Sequence, residues 1–225
     1  MSCLICLLLP LALLLPASAQ SPVPIEKEPR HRLKFENRHV RVFDVLIPRK
    51  DTSLFHTHVH DGVGIKLTDA RIRDEPTGGS PDDITVTRGE VSFALRPSPL
   101  THRVSNIGET PFRNIFVEIL PPAGAPRGAP PQALVAGQTL ALENERVRIS
   151  RLVLAPGQSA ELHTHVLRRL AVAVSEGRLA VEVPGEKVRT IEFKPGDFQW
   201  YEAGATHALK NIGSTPFEAV DIELK

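Results

Sequence analysis

The chain has 225 residues, 27 of them basic and 26 acidic, for a formal net charge of +1, and neither sign forms a block. That balance offers no basic stripe for nucleic acid and no polybasic patch for a membrane surface, which leaves a small molecule as the default ligand. The two cysteines, Cys3 and Cys6, are too few and too close to the start to staple a fold.

Residues 2–19 carry no charge, Leu4 to Leu15 is almost unbroken apolar sequence, and Ala17-Ser18-Ala19 supplies a small-x-small pattern. This reads as a secretory signal peptide over 1–19, cleaved before Gln20, which makes the mature chain secreted or periplasmic. The apolar run, interrupted at Pro10, falls short of the roughly 20 residues a membrane-spanning helix needs. Both cysteines leave with it, so any metal held by the mature chain must be held by nitrogen and oxygen.

Residues 20–33 read as an N-terminal segment. From 34 to 120, short apolar-polar alternations are broken by turn residues, with a more polar loop at Asp74 to Asp83. This is the pattern of an all-β domain. Residues 121–137 are rich in Pro, Gly and Ala and read as a linker. Residues 138–225 repeat the plan: Val147 to Leu154 runs into Pro156-Gly157, Leu170 to Val174 into Glu176-Gly177, and Leu179 to Val183 into Pro184-Gly185. Val188 to Phe193 then meets Pro195-Gly196, and Phe198 to Tyr201 leads to Gly204. Each break contains glycine, where the chain reverses cheaply.

The halves are copies. Glu36-Asn37 matches Glu143-Asn144, and Val40-Arg41-Val42 matches Val147-Arg148-Ile149. Asn106-Ile107-Gly108 and Thr110-Pro111-Phe112 match Asn211-Ile212-Gly213 and Thr215-Pro216-Phe217. His56-Thr57-His58 is answered by His102, and His163-Thr164-His165 by His207. A repeat this long is a duplicated small domain. Alternate strand residues share a face, so His56 with His58, and His163 with His165, point the same way. Each pair can gather a third imidazole, His102 or His207, around one ion. Of the nine histidines, only His31 and His39 lie away from these motifs.

With these residues in view, the chain resembles a two-domain (bicupin) member of the cupin superfamily. The family motifs are G-x5-H-x-H-x3,4-E-x6-G and G-x5-P-x-G-x2-H-x3-N. Gly157, His163, His165, Gly177, Gly196, Gly204, His207 and Asn211 match them in the second half. In the first half, His56, His58, Pro97, His102 and Asn106 match, while Lys50, Val63, Ala70, Val91 and Pro99 occupy glycine and glutamate positions. The resemblance covers residues 34–225 and implies two tandem double-stranded β-helix (cupin, or jelly-roll) barrels, an all-β fold. It also implies a divalent metal, with Fe, Mn, Cu, Zn and Ni all open.

The family's glutamate is replaced by Val63 and Leu170, which leaves 3-His sites with an extra open position. That argues against the oxalate decarboxylase and germin type. His60 continues the alternation of His56 and His58, either as a fourth ligand or as a solvated residue at the barrel mouth. Glu161, Glu202, Arg168 and Arg169 are weaker candidates for site roles, each with a solvated surface reading beside it. Phe198 and Trp200 share a face and read as core. The functional readings that follow are a metalloenzyme acting on a small organic molecule, an oxygenase among them; a non-catalytic binder of metal or ligand (sensor, carrier or scavenger); and empty structural barrels. An exposed sheet leaves room for a homodimer.

Overall fold

The alternating stretches and their glycine breaks fold as antiparallel hairpins. The computed structural model describes residues 21–121 and 133–225, so the segment read as a signal peptide and most of the segment read as a linker lie outside the described residues. The first half comprises β1 (Val23–Pro24), a 3-10 turn at Ile25–Lys27, β2 (His31–Glu36), β3 (Val40–Ile47), β4 (His56–His58) and β5 (Asp61–Lys66). It continues with β6 (Ala70–Pro76), β7 (Asp82–Val86), β8 (Val91–Ala94), β9 (Leu100–Asn106) and β10 (Phe112–Ile119). The second comprises β11 (Gln138–Glu143), β12 (Val147–Leu154), β13 (Ser159–Thr164), β14 (Arg169–Ala173) and β15 (Gly177–Glu182). It ends with β16 (Arg189–Phe193), β17 (Phe198–Tyr201), β18 (Thr206–Asn211) and β19 (Phe217–Leu224).

Each half is two facing sheets. In the first, β1-β4-β9-β6-β7 faces β2-β3-β10-β5-β8; in the second, β13-β18-β15-β16 faces β11-β12-β19-β14-β17. The strand orders match throughout, except that β1, which runs parallel to β4, has no counterpart. Part of the segment 20–33, read from sequence as preceding the barrel, therefore pairs into it through β1 and the start of β2. No helix among the described residues is long and apolar enough to cross a membrane.

Period-two alternation divides each of the larger sheets between two cores. On β3 and β10, Phe43, Val45, Ile47 and Phe112 face the interior of the first barrel. Their neighbours Val40, Val42, Ile115 and Val117 face outward into a cluster shared with Val147, Ile149, Val172 and Ile222 of the second barrel. Two sheets thus pack back to back within the chain. At the rim, Arg146 lies 3.3 Å from Asp61, Arg88 lies 3.5 Å from Glu218, and Arg113 donates to the Pro195 carbonyl at 2.9 Å. Phe198 and Trp200 pack against this cluster beside Phe35, at ring separations of 6.0 and 6.4 Å, and do not enter the barrel.

Turn chemistry corrects part of the motif alignment. Gly157 and Gly196 sit at φ of 79° and 90°, a conformation that costs any residue with a Cβ. Lys50 occupies the position of Gly157 and still adopts φ 61°. The counterpart of Gly196 is Gly89 (φ 83°), not Val91, because the two-residue deletion falls after β8.

Candidate metal centre

The strand register assembles the histidines. His56 pairs directly with His102 across β4 and β9, and His163 with His207 across β13 and β18. His58 and His165 follow two residues later on the same inward faces. In the first barrel, His56 and His58 are buried and the three rings lie 4.7–5.0 Å apart. His58 and His102 bring their Nε2 atoms to 3.1 Å.

A fourth imidazole joins them. His31 opens β2 on the opposite sheet, opposite Val45, which points its ring inward, 4.4 Å from His56 and 6.1 Å from His58. Ring nitrogens of His31, His56 and His58 all lie within 4.8 Å of one another. His31 was not legible as a site residue because it precedes the motif and has no counterpart; the second barrel has Gln138 at the same register. Its one sequence signal was the nearby Glu28. His60, by contrast, lies past the end of β4, half-buried, near Arg41 and Asp61, and outside the group.

Three of the four rings have their tautomer set from behind. His31 Nδ1 lies 2.6 Å from Glu28, His102 Nδ1 lies 2.6 Å from Asp74, and His56 Nδ1 lies 2.9 Å from the Leu54 carbonyl. With Nδ1–H donating outward, each Nε2 presents a lone pair inward, the arrangement found behind metal-ligating histidines. Glu28 is itself fixed, accepting the N–H groups of Arg30 at 2.7 Å and Leu54 at 3.1 Å. Burial pushes its carboxyl up, but the His31 contact and these N–H groups outweigh it and hold Glu28 below the usual carboxylate range.

Burial, reinforced by the neighbouring imidazoles, pulls His56 down to about 3 and His58 further below the ordinary histidine range. Burial also lowers His31, against the opposing pull of Glu28. At neutral pH these rings are uncharged ligands. His56 Nε2 and His58 Nδ1 are buried with no hydrogen-bond partner. A buried polar atom left unpaired is costly, and a cation among the Nε2 atoms supplies the missing partner of His56 Nε2, though not of His58 Nδ1. The first group therefore fits a metal ion.

The second group is built differently. His163 and His165 bring Nε2 atoms to 2.9 Å, and His163 is turned by the Glu161 carbonyl at 2.6 Å. However, Arg169 Nη2 donates to His207 Nε2 at 3.1 Å, occupying the lone pair an ion would need. Arg169 is buried, ion-paired to buried Asp221, and stacked 4.3 Å over Tyr201. Burial, with the Arg169 charge next, draws His207 down to about 3. Ring nitrogens of His163, His165 and His207 lie within 4.8 Å of one another, as in the first group, but here the guanidinium competes with an ion for His207 Nε2.

This finding revises the reading of the lost glutamate. Val63 and Leu170 face the shared inter-barrel core. One residue earlier, at the three-residue spacing, strand alternation turns Gly62 and Arg169 inward, and they pair with Glu118 and Glu223 at equivalent positions. In the first barrel Phe116 fills the space over Gly62, where a Cβ would fall 2.3 Å from the ring. The Phe116 ring meets His58 edge-on at 4.9 Å.

The remaining candidates lie elsewhere. Arg168 and Glu202 pair at the surface at 2.9 Å, and Glu161 is exposed. Asn106 and Asn211 tie turns: each donates to two backbone carbonyls and accepts one glycine N–H. His39 stacks 5.9 Å from Trp200.

The interiors differ in room as well. The first barrel encloses a cavity of about 280 Å³ bordered by His31, His58 and His102. The corresponding space in the second barrel, beside Arg169, Tyr201 and His207, is about 40 Å³.

Comparison with known proteins agrees with this architecture. Residues 150–223, most of the second barrel, match the family model described as cupin domain. No curated protein sequence matches the chain. AerE from Microcystis aeruginosa is 11% identical, covering 88% of this chain and 98% of its own, with a TM-score of 0.61. A cupin 2 conserved barrel domain protein from Leptotrichia buccalis is 11% identical over 87% of this chain and 88% of its own, at TM-score 0.54. A variant of salicylate 1,2-dioxygenase from Pseudoaminobacter salicylatoxidans, in complex with gentisate, is 13% identical over 83% of this chain and 69% of its own, at TM-score 0.57. At these identities the shared property is the fold: two tandem double-stranded β-helix barrels.

Proposed function

We propose that this is an exported bicupin whose first barrel binds one divalent metal ion through His56, His58 and His102, with His31 as a fourth ligand. There it acts on a small organic molecule as an O2-dependent, dioxygenase-type enzyme. The observation that carries this reading is a cluster of four inward imidazoles, three of which, His31, His58 and His102, border a cavity of about 280 Å³. All-nitrogen ligation suits Fe, Cu, Ni or Zn. A bound ion would supply Lewis acidity and positions for substrate and O2. The chain's own residues do the rest: Glu28, Asp74 and the Leu54 carbonyl fix the rings. The likeness to a salicylate 1,2-dioxygenase supports the choice of reaction class through fold alone.

The fourth imidazole also favours a second reading. Four histidines around a tetrahedral ion would leave no open position, as in structural zinc sites. The barrel would then be a non-catalytic metal or ligand carrier. Oxygen uptake separates the two. The protein loaded with Fe(II) and offered phenolic and enolic acids should consume O2, and His102→Ala should abolish that uptake. A stably metallated protein that consumes none belongs to the carrier reading.

A further inference from the structure

The wall of the first-barrel cavity carries a polar set that the metal reading leaves unused. Lys66 points inward from β5 and is 9% exposed. Its ammonium has one hydrogen-bond partner, Ser92 Oγ at 3.0 Å, and no ion-pair partner among the described residues. Burial lowers its pKa against the opposing pull of Glu90, which lies outside ion-pair distance and accepts the Thr87 N–H. A buried ammonium with a single hydroxyl partner is poorly compensated. On β10, Asn114 is paired opposite Lys66, and its Oδ1 is buried with no partner at all.

These atoms converge over one glycine. A Cβ on Gly64 would lie 2.7 Å from Lys66 Nζ, 3.0 Å from Ser92 Oγ and 3.3 Å from Asn114 Oδ1. The missing side chain leaves a floor on which an ammonium, a hydroxyl and an unsatisfied carbonyl meet. The second barrel lacks the set: Ala173 and Ala219 pair at the positions of Lys66 and Asn114. General packing of the fold therefore does not require these groups.

We propose that the cavity takes a small organic acid with a hydroxyl or amino group beside its carboxylate. Lys66 and Ser92 hold the carboxylate, and Asn114 Oδ1 accepts the neighbouring O–H or N–H. The ammonium has protons left to give after Ser92, the serine hydroxyl proton is free to donate, and only an acceptor such as Asn114 Oδ1 requires a donor from the ligand. A space of about 280 Å³ exceeds the roughly 150 Å³ cavity that takes up benzene, and so has room for a monocyclic acid. This assignment rests on the proposed function only in placing the acid in the same cavity as the metal.

The test uses mandelate, with mandelamide and phenylacetate as controls, titrated by calorimetry into the chelator-treated protein and separately into protein loaded with zinc. Mandelate should bind the chelated protein, mandelamide at least about tenfold more weakly, and phenylacetate more weakly than mandelate for want of the hydroxyl. Lys66→Met should lose at least about tenfold in mandelate affinity, while Lys66→Arg, which keeps the charge, retains most of it. Equal binding of mandelate and mandelamide, no loss in a folded Lys66→Met variant, or no mandelate binding by the parent overturns the assignment. Mandelate binding with no zinc uptake would remove the metal reading and leave this one standing; zinc uptake with no response to mandelate would do the reverse.

Discussion

Removing the Arg169 guanidinium should destabilise the second barrel and, at the same time, open it to metal. Arg169→Ala breaks three ties: the ion pair with Asp221, the 3.1 Å hydrogen bond to His207, and the stack 4.3 Å over Tyr201. Asp221 stays buried, with Gln138 Nε2 at 3.2 Å as its remaining side-chain partner. Breaking a buried pair by removing one member costs about 3–5 kcal/mol, because the other charge is stranded. For a chain of this size that is a fall in Tm of roughly 10 °C. The same change frees His207 Nε2 and leaves three imidazoles beside the Asp221 carboxylate. An ion present at a hundred times its Kd then returns about 2.7 kcal/mol. Thermal unfolding followed by circular dichroism, with and without zinc and in a His58→Ala background that silences the first barrel, reads both effects. Replacing the pair together, Arg169→Met with Asp221→Leu, should be far milder than the single change. The reasoning fails if Arg169→Ala melts with its parent, or if zinc already stabilises the His58→Ala parent equally.

Glu28→Gln should weaken metal binding about 10- to 100-fold by loosening His31, whereas His60→Ala should leave it unchanged; competition with a chromophoric chelator measures both. Glu118 is buried, its Oε1 unpaired and Arg41 3.5 Å from Oε2, and burial, opposed by Arg41, pushes it up to about 7. Between its unfolded value of 4.5 and about 7 the folded state keeps a proton that the unfolded chain releases, so this group's contribution falls as pH rises through that window. Glu118→Gln should therefore stabilise the protein by up to about 3 kcal/mol at pH 8 and by little at pH 4.5, as read by urea unfolding. Lys50→Gly should raise stability by about 1 kcal/mol in the same assay, by relieving a left-handed backbone at φ 61°.

Much of this was legible in the chain. The double His-x-His, each copy answered by a later histidine, fixed which strands face inward, since alternation leaves little freedom once two imidazoles share a face. The Pro-Gly breaks located the turns for the same reason, and Lys50 shows that the turn survives even where the glycine does not. The glutamate position was misread because the motif admits two spacings, and a shift of one residue exchanges the barrel interior for the inter-barrel core. Leu170 and Arg169 thus swapped roles. His31 was missed because it enters from the opposite sheet, and its partner in space, His56, is remote in sequence. The contrast between an open and a plugged barrel rests on Arg169 and Tyr201 against Gly62 and Ala94, which become comparable only once the register is known.

The central claim is that the first barrel holds the metal and the second does not. Elemental analysis of the purified protein beside His58→Ala and His207→Ala, each incubated with Fe, Mn, Cu, Zn and Ni, tests it directly. The account predicts close to one ion per chain, lost in His58→Ala and kept in His207→Ala. No ion under any loading, or an ion that survives His58→Ala and is lost in His207→Ala, would contradict it.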